Sequence, residues 1–283
     1  MKLTAFPDLT GKVVVITGGA GVLCSAFAKA IAACGAKVTI LDRSLERAKT
    51  LAKEIQAEGH EAFGVYVDVL NKNAIEEAHQ TVLQHYGKCD ILINGAGGNS
   101  PQATTDEEFF NPATYGKEGH KSFFDLDPEG FGLVFGLNFT GTLLPTQCFA
   151  RDMVDKPGSV ILNISSMNAF SPLTKIPAYS AAKAAISNFT QWLAVHFAKS
   201  GIRVNAIAPG FFSTAQNEAL LWNSDGTPTI RSHKILNQTP MGRFGQPEEL
   251  LGSVLWLIDN DASGFVTGVV VPIDGGFSAY SGV

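Results

Sequence analysis

Short apolar runs alternate with longer segments whose apolar residues recur every three or four positions, and this rhythm continues along most of the chain. Lys12–Thr17 (KVVVIT) is almost wholly apolar, the pattern of a strand buried on both faces of a parallel sheet. Val22–Cys34 predicts a helix rich in small residues, stopped by Gly35. Lys37–Leu41 is a second strand, and Ser44 then caps a charged helix that runs to Glu58 and stops at Gly59. A strand over Ala62–Val67, a helix over Asn71–Tyr86 ended by Gly87, and a strand over Cys89–Ile93 complete three β–α–β units. Units of this length predict a doubly wound open parallel sheet with right-handed crossovers. Beyond them the pattern predicts long helices over Pro128–Val154 and Pro177–Lys199 and a last helix over Pro247–Asn260. Strands are predicted over Gly158–Ile164, Ile202–Ile207 and Val269–Ile273.

Residues 1–283 thus read as one α/β domain, of Rossmann type, with about seven strands and helices on both faces. Two stretches break the rhythm, Gly98–Asp127 and Phe211–Gly245, and both exceed ordinary connections, which favours substrate-shaping roles. The composition is 45% hydrophobic and 17% charged, enough for a sizeable core and too apolar for a disordered chain. A net charge of −5 argues against nucleic acid as a partner. No segment reaches the roughly 18 uninterrupted apolar residues of a membrane span, and Met1 to Lys12 lacks the apolar core of a secretory leader. The cysteines at 24, 34, 89 and 148 form no CxxC pair and no metal-ligand spacing, so they read as reduced, mostly buried thiols of a cytoplasmic protein. The histidines show no ligand spacing either, and no metal is expected in catalysis.

Thr17-Gly18-Gly19-Ala20-Gly21-Val22-Leu23-Cys24 lies where the first strand hands over to the first helix. Glycines there let the backbone turn sharply and approach a pyrophosphate, whose charge meets the amides of a helix N-terminus. Gly19-x-Gly21-x-x-Cys24 fits the GxGxxG pattern except that a small cysteine replaces the third glycine. A plain tight turn has the same appearance, but a strand before and a helix after favour the dinucleotide reading. Asp42 ends the second strand, 21 residues beyond Gly21, where an acid would bind both ribose hydroxyls and repel a 2′-phosphate. That placement favours NAD over NADP. Arg43 beside it could serve a 2′-phosphate, and Asp42 could simply cap the helix that follows.

Tyr179 and Lys183 stand four apart near the start of a predicted helix and share a face. An ammonium near a phenol favours phenolate, so the pair predicts a lowered tyrosine pKa and proton exchange with a carbonyl or alcohol oxygen. Ser166 lies just beyond a predicted strand end, on the side where such sheets bind ligands, and could hydrogen-bond the same oxygen. Each of these alone has a structural alternative: a core tyrosine, a solvated lysine, a loop-capping serine.

Together with Thr17–Gly21, Asn94-Gly95-Ala96-Gly97, Asn138 and Pro209-Gly210-x-x-x-Thr214, these residues resemble the short-chain dehydrogenase/reductase family, in its order and spacing from Val13 to Gly276. The resemblance implies an NAD-dependent oxidoreductase acting on a CH–OH group. It makes Tyr179 the general acid/base, and has Lys183 lower its pKa while binding the nicotinamide ribose. Ser166 would orient the substrate carbonyl and Asn138 would hold a water in a relay toward Lys183. It places the cofactor among Gly18, Gly19, Gly21, Val22, Leu23, Asp42, Arg43, Asp68, Val69, Asn94, Ala96, Gly97, Pro209, Gly210, Phe212 and Thr214. The chain departs from the family at the glycine turn, usually TGxxxGxG, by carrying Val22 and Cys24 where glycines are expected.

For the substrate, the turn GGAGVLC, the long Gly98–Asp127 segment and the tail Asp274–Val283 resemble the branch of the family that interconverts D-fructuronate and D-mannonate with NAD(H). Another polyol or sugar acid, such as gluconate, is the alternative, with a non-catalytic dinucleotide sensor behind it. Asn99, Asn168, Lys175 and Arg231 are the candidate carboxylate-binding residues, each with the alternative of a solvated polar group. The resemblance also implies a homotetramer built on the two long helices. The apolar face of the second, Ile186, Phe189, Leu193 and Phe197, is equally explained by packing on the sheet.

Overall fold

A computed structural model describes residues 6–154, 156–214 and 218–282. Residues 1–5, residue 155, residues 215–217 of the second irregular stretch and the tail's final residue 283 lie outside that description. The elements in chain order are β1 (Val13–Thr17), α1 (Val22–Ala33), β2 (Lys37–Asp42), α2 (Leu45–Ala57), β3 (Ala62–Tyr66), α3 (Lys72–His85), β4 (Ile91–Asn94), α4 (Pro128–Phe135), α5 (Gly141–Met153), β5 (Val160–Ile164), α6 (Pro177–Phe197), β6 (Arg203–Pro209), α7 (Glu218–Leu221), α8 (Ile230–Gln238), α9 (Leu251–Ile258), α10 (Asn260–Ser263) and β7 (Val270–Ile273).

The strands form one seven-stranded parallel sheet in the order β3-β2-β1-β4-β5-β6-β7. Every predicted strand is present, shifted by one or two residues at its ends. Alternation along β1 feeds two cores. Val14 and Ile16 point to the face covered by α1, α2 and α9, and Val13 and Val15 to the face covered by α3, α5 and α6. All four are at most 3% exposed, which is why the run reads as continuously apolar. Ile186 and Leu193 are buried, and Phe189 and Phe197 pack against the same core, so that apolar face of α6 is packing on the sheet.

The strand order reverses between β1 and β4, and an open sheet binds its ligand at the carboxyl ends of the strands beside such a reversal. There Thr17 is in register with Leu41 on one side and Asn94 on the other. The helix expected over Pro128–Val154 differs in one respect. It is continuous, but Gly136–Thr140 forms a π-turn, closed by the Gly141 N–H donating to Gly136 O, between α4 and α5. An uninterrupted apolar pattern does not show this extra residue. Among the described residues no helix is long and apolar enough to cross a membrane.

Candidate active site

The turn after β1 is shaped for close approach. Gly18 has φ +60°, and a Cβ there would lie 2.8 Å from Ala96 Cα. Gly19 N–H donates to Leu41 O at 3.1 Å, fastening the turn to the end of β2. The N-cap of α1 is Gly21, which offers no side chain to the first amides of the helix, and no acidic residue occupies its first turn. An uncapped, glycine-lined helix N-terminus is suited to an anionic group. Val22 and Leu23 are half-buried at this end, and Cys24 is buried beneath it.

Asp42 ends β2 half-buried. Its Oδ2 accepts from Ala20 N at 3.1 Å and its Oδ1 from Ser44 N at 2.9 Å, so it braces the glycine turn as well as the loop into α2. The N-cap of α2 is Ser44, not Asp42. Arg43 is exposed, and the neighbouring Arg47 donates to Ala20 O. Beyond β3, Asp68 is half-buried, with Oδ1 accepting from Leu70 N at 3.0 Å, and Val69 is buried against Gly141. At the far side Pro209 closes β6, Gly210 N–H donates to Ile273 O, Phe212 is buried against Gly245, and Thr214 is half-buried.

The catalytic candidates converge. Pro177 opens α6, which puts Tyr179 in its first turn and Lys183 one turn on. Lys183 is 4% exposed, its Nζ donates to Ile164 O at 2.8 Å and lies 5.5 Å from the centre of the Tyr179 ring. Ser166 hydrogen-bonds the Tyr179 hydroxyl and accepts from Asn168 N at 3.3 Å. Asn138, fully buried in the π-turn, donates through Nδ2 to Gly98 O (2.7 Å) and Val134 O (2.8 Å) and accepts from Gly98 N (3.3 Å). A Cβ at Gly97 would lie 2.6 Å from Asn138 Oδ1 and 3.3 Å from Lys183 Nζ, so this glycine sits directly over both. Asn94, one strand-end below, donates to Thr146 Oγ1 and Asn163 Oδ1, both at 2.9 Å, tying β4 to α5 and β5.

Thr17 adds a positioning group that the sequence reading left within the glycine motif. Its Oγ1 accepts from Gly95 N at 3.2 Å and Ala96 N at 3.3 Å, locking the two loops of the crevice together. A threonine directly before the glycines was the available sign.

The electrostatics correct one expectation. Burial pushes the Tyr179 hydroxyl above its ordinary value, and the Ser166 hydrogen bond opposes this. Lys183 is not among the causes; its ammonium is aimed at Ile164 O instead of the phenol. Burial lowers Lys183 itself to about 8.

The four substrate candidates differ in their surroundings. Asn168 is 4% exposed beside Ser166, and its Oδ1 has no hydrogen-bond partner in the protein. Lys175, with φ +71°, donates through Nζ to Asp106 O at 2.7 Å and accepts from Thr105 N, so it holds the long segment after β4 against the loop before α6. Asn99 is exposed and donates to Thr104 Oγ1. Arg231 is exposed in the first turn of α8 and makes no hydrogen bond or ion pair among the described residues. A second clasp joins the two irregular stretches, Lys234 Nζ of α8 lying 2.6 Å from Glu108 Oε1.

Comparison with known proteins agrees with this geometry. The family model for short chain dehydrogenases matches residues 12–223. The chain is 56% identical over 276 residues, 98% of each chain, to the uncharacterized oxidoreductase UxuB of Bacillus subtilis (strain 168). A Haemophilus influenzae crystal structure with bound NAD, provisionally named a D-mannonate oxidoreductase, superposes with a TM-score of 0.94 at 57% identity over 98% of both chains. A gluconate 5-dehydrogenase of Burkholderia cenocepacia J2315, in complex with NADP and tartrate, superposes with a TM-score of 0.81 at 29% identity, covering 96% of this chain and 97% of the other. On its sheet order, its Ser166–Tyr179–Lys183 group and this likeness, the chain belongs to the short-chain dehydrogenase family of oxidoreductases.

Proposed function

We propose that the chain interconverts a secondary hydroxyl and a ketone of a sugar acid with NAD(H), D-mannonate and D-fructuronate being the pair. The observation that carries this reading is the convergence of Asn138, Ser166, Tyr179 and Lys183 at the glycine-lined crevice. It is joined by the close likeness to the NAD-bound Haemophilus structure.

The residues present fit the cofactor. The first-turn amides of α1 and the turn Gly18–Leu23 would hold its pyrophosphate, Asp42 with Arg43 its adenosine ribose, and Asp68 with Val69 the adenine. Ala96, Gly97, Lys183 and the Pro209–Thr214 segment would frame the nicotinamide end, over a strand end steadied by Asn94. When bound, nicotinamide supplies or accepts the hydride. Tyr179 gives a proton to the substrate oxygen or takes one from it, and Ser166 fixes that oxygen through a second hydrogen bond. Lys183, neutralised more readily than an exposed lysine, exchanges protons with the crevice, and Asn138 holds the adjoining loop at Gly98.

Asn168 Oδ1 is an acceptor without a partner beside Ser166, placed to take a substrate hydroxyl. The segments 98–127 and 211–245, clasped through Lys234 and Glu108, shape the polar side of the pocket, with Lys175, Asn99 and Arg231 as its candidate cation and amide groups. Assembly as a homotetramer belongs to the same reading. It is supported by the exposed apolar residues Leu133 of α4 and Trp192 and Val195 of α6.

The test is NADH formation with D-mannonate, run beside D-gluconate and beside NADP. Turnover of D-mannonate with NAD alone supports the assignment. Turnover of D-gluconate alone sinks it and favours the second reading, for which the likeness to the Burkholderia enzyme speaks.

A further inference from the structure

We propose that Glu76, His79 and Cys148 bind a divalent zinc-like metal ion that staples α3 to α5. The seam shares no residue with the Ser166–Tyr179–Lys183 group. Glu76 and His79 lie three apart on α3 and share a face, while Cys148 and Asp152 lie four apart on α5 and face them. One ligand atom from each of Glu76, His79 and Cys148 falls within 4.8 Å of the others, and His79 and Cys148 are both 5% exposed.

The imidazole is prepared for ligation. Its Nε2 lies 3.0 Å from both carboxylate oxygens of Asp152, and Asp152 Oδ2 also accepts from Cys89 N at 3.1 Å. The carboxylate therefore fixes the proton on Nε2 and leaves Nδ1 as the free nitrogen. That atom is buried with no hydrogen-bond partner in the protein. A carboxylate holding one histidine nitrogen while the other faces a metal is the usual outer support of a zinc ligand. An orphaned buried nitrogen is costly in any other arrangement.

The remaining donors point the same way. Cys148 Sγ donates to Glu76 Oε2 at 3.5 Å, so the sulfur and a carboxylate oxygen already face one another across the seam. Burial, with Glu76 adding to it, pushes the Cys148 thiol up to about 12, and a dication placed between the two groups reverses that penalty. Sulfur, nitrogen and one carboxylate oxygen suit a tetrahedral zinc ion with water as fourth ligand; calcium and magnesium take oxygen ligands. Arg151, exposed and 3.3 Å from Glu76 Oε2, is the competing cation and is free to swing into solvent.

The full-length chain, stripped with a chelator, is titrated with cobalt(II) as the optical probe and then with zinc. The expected result is one equivalent of cobalt with a thiolate charge-transfer band, displaced by zinc, and binding that tightens as pH rises because ligation releases the thiol proton. Cys148→Ser should lose the band and weaken binding by about tenfold or more, while Cys34→Ser, at the half-exposed thiol, should change neither. No uptake by the wild type, or a thiolate band that persists in Cys148→Ser, overturns the proposal. In that case the His79–Asp152 pair stands as a buried hydrogen-bonded pair only.

Discussion

The thiol of Cys24 occupies the space a side chain at Gly95 would need: a Cβ at Gly95 would overlap Cys24 Sγ and lie 2.8 Å from Thr17 O. The cysteine in the helix after β1 and the glycine in the loop after β4 are therefore one packing solution. The bare backbone at Gly95 leaves the room that the Cys24 side chain fills.

Gly95→Ala is expected to destabilise the chain by about 1–3 kcal/mol through overpacking. In a Cys24→Ala background the cost should fall by about 1 kcal/mol or more, since residues in contact couple. Urea denaturation of the four proteins reads the coupling; strictly additive changes would show that the two sites are independent.

Tyr179→Phe should lower kcat by about 10²–10⁴-fold, the range a positioned general acid or base supplies. Binding of NADH, followed by its fluorescence, should hardly change. Retained turnover would remove Tyr179 from the chemistry.

Asp42→Ala should raise the use of NADP relative to NAD by roughly tenfold, because an acceptor for the ribose hydroxyls and a charge opposing a 2′-phosphate are removed together. It should also loosen the turn, as Ala20 N and Ser44 N lose their acceptor. An unchanged cofactor ratio in steady-state kinetics would assign Asp42 to the turn alone.

Lys183 predicts a pH-dependent stability of the ligand-free protein. Below about 8 the folded chain carries the full cost of a buried ammonium. Between about 8 and the ordinary 10.5, the unfolded chain keeps a proton that the folded chain has lost, so stability rises with pH; above 10.5 the cost is gone. The swing is about 3 kcal/mol. Lys183→Met lacks it, so the stability of the variant relative to wild type should fall steadily across this window in thermal denaturation. A constant difference would mean that Lys183 is not buried charged.

The clasp between Lys234 and Glu108 is exposed, and its loss should leave thermal stability nearly untouched. Lys234→Ala is expected to raise KM for the substrate by roughly two- to five-fold, with the difference shrinking at high salt. A change in kcat alone would argue against a pocket-shaping role.

The strands were legible because burial on both faces leaves continuous apolar runs such as Val13–Thr17 and Val160–Ile164. Ser166, Tyr179 and Lys183 were legible as well, since a strand end and a helix start place them. What stayed hidden depends on contacts between distant positions. Glu108 and Lys234 are 126 residues apart, and His79 meets Asp152 from 73 residues away. Ligand spacing along the chain shows nothing of the α3–α5 seam, because the fold supplies half of it. The direction of the Tyr179 shift was misread for a similar reason: helical spacing brings Lys183 onto the same face, but burial and the pull of Ile164 O are tertiary.

The π-turn at Gly136–Thr140 gives the helix two phases. One residue more than a regular turn rotates everything after it by about 100°. Within the turn Asn138 is keyed to Gly98 and to Val134 O ahead of it, and behind it Thr146 is keyed to Asn94 and Cys148 to Glu76. A straight helix of the same sequence would hold one set of partners and turn the other away. Chain length between Val134 and Thr146 is therefore the quantity under constraint. Substitutions there change a contact; a single deletion would swing the outer half of the helix like a key cut for a different lock.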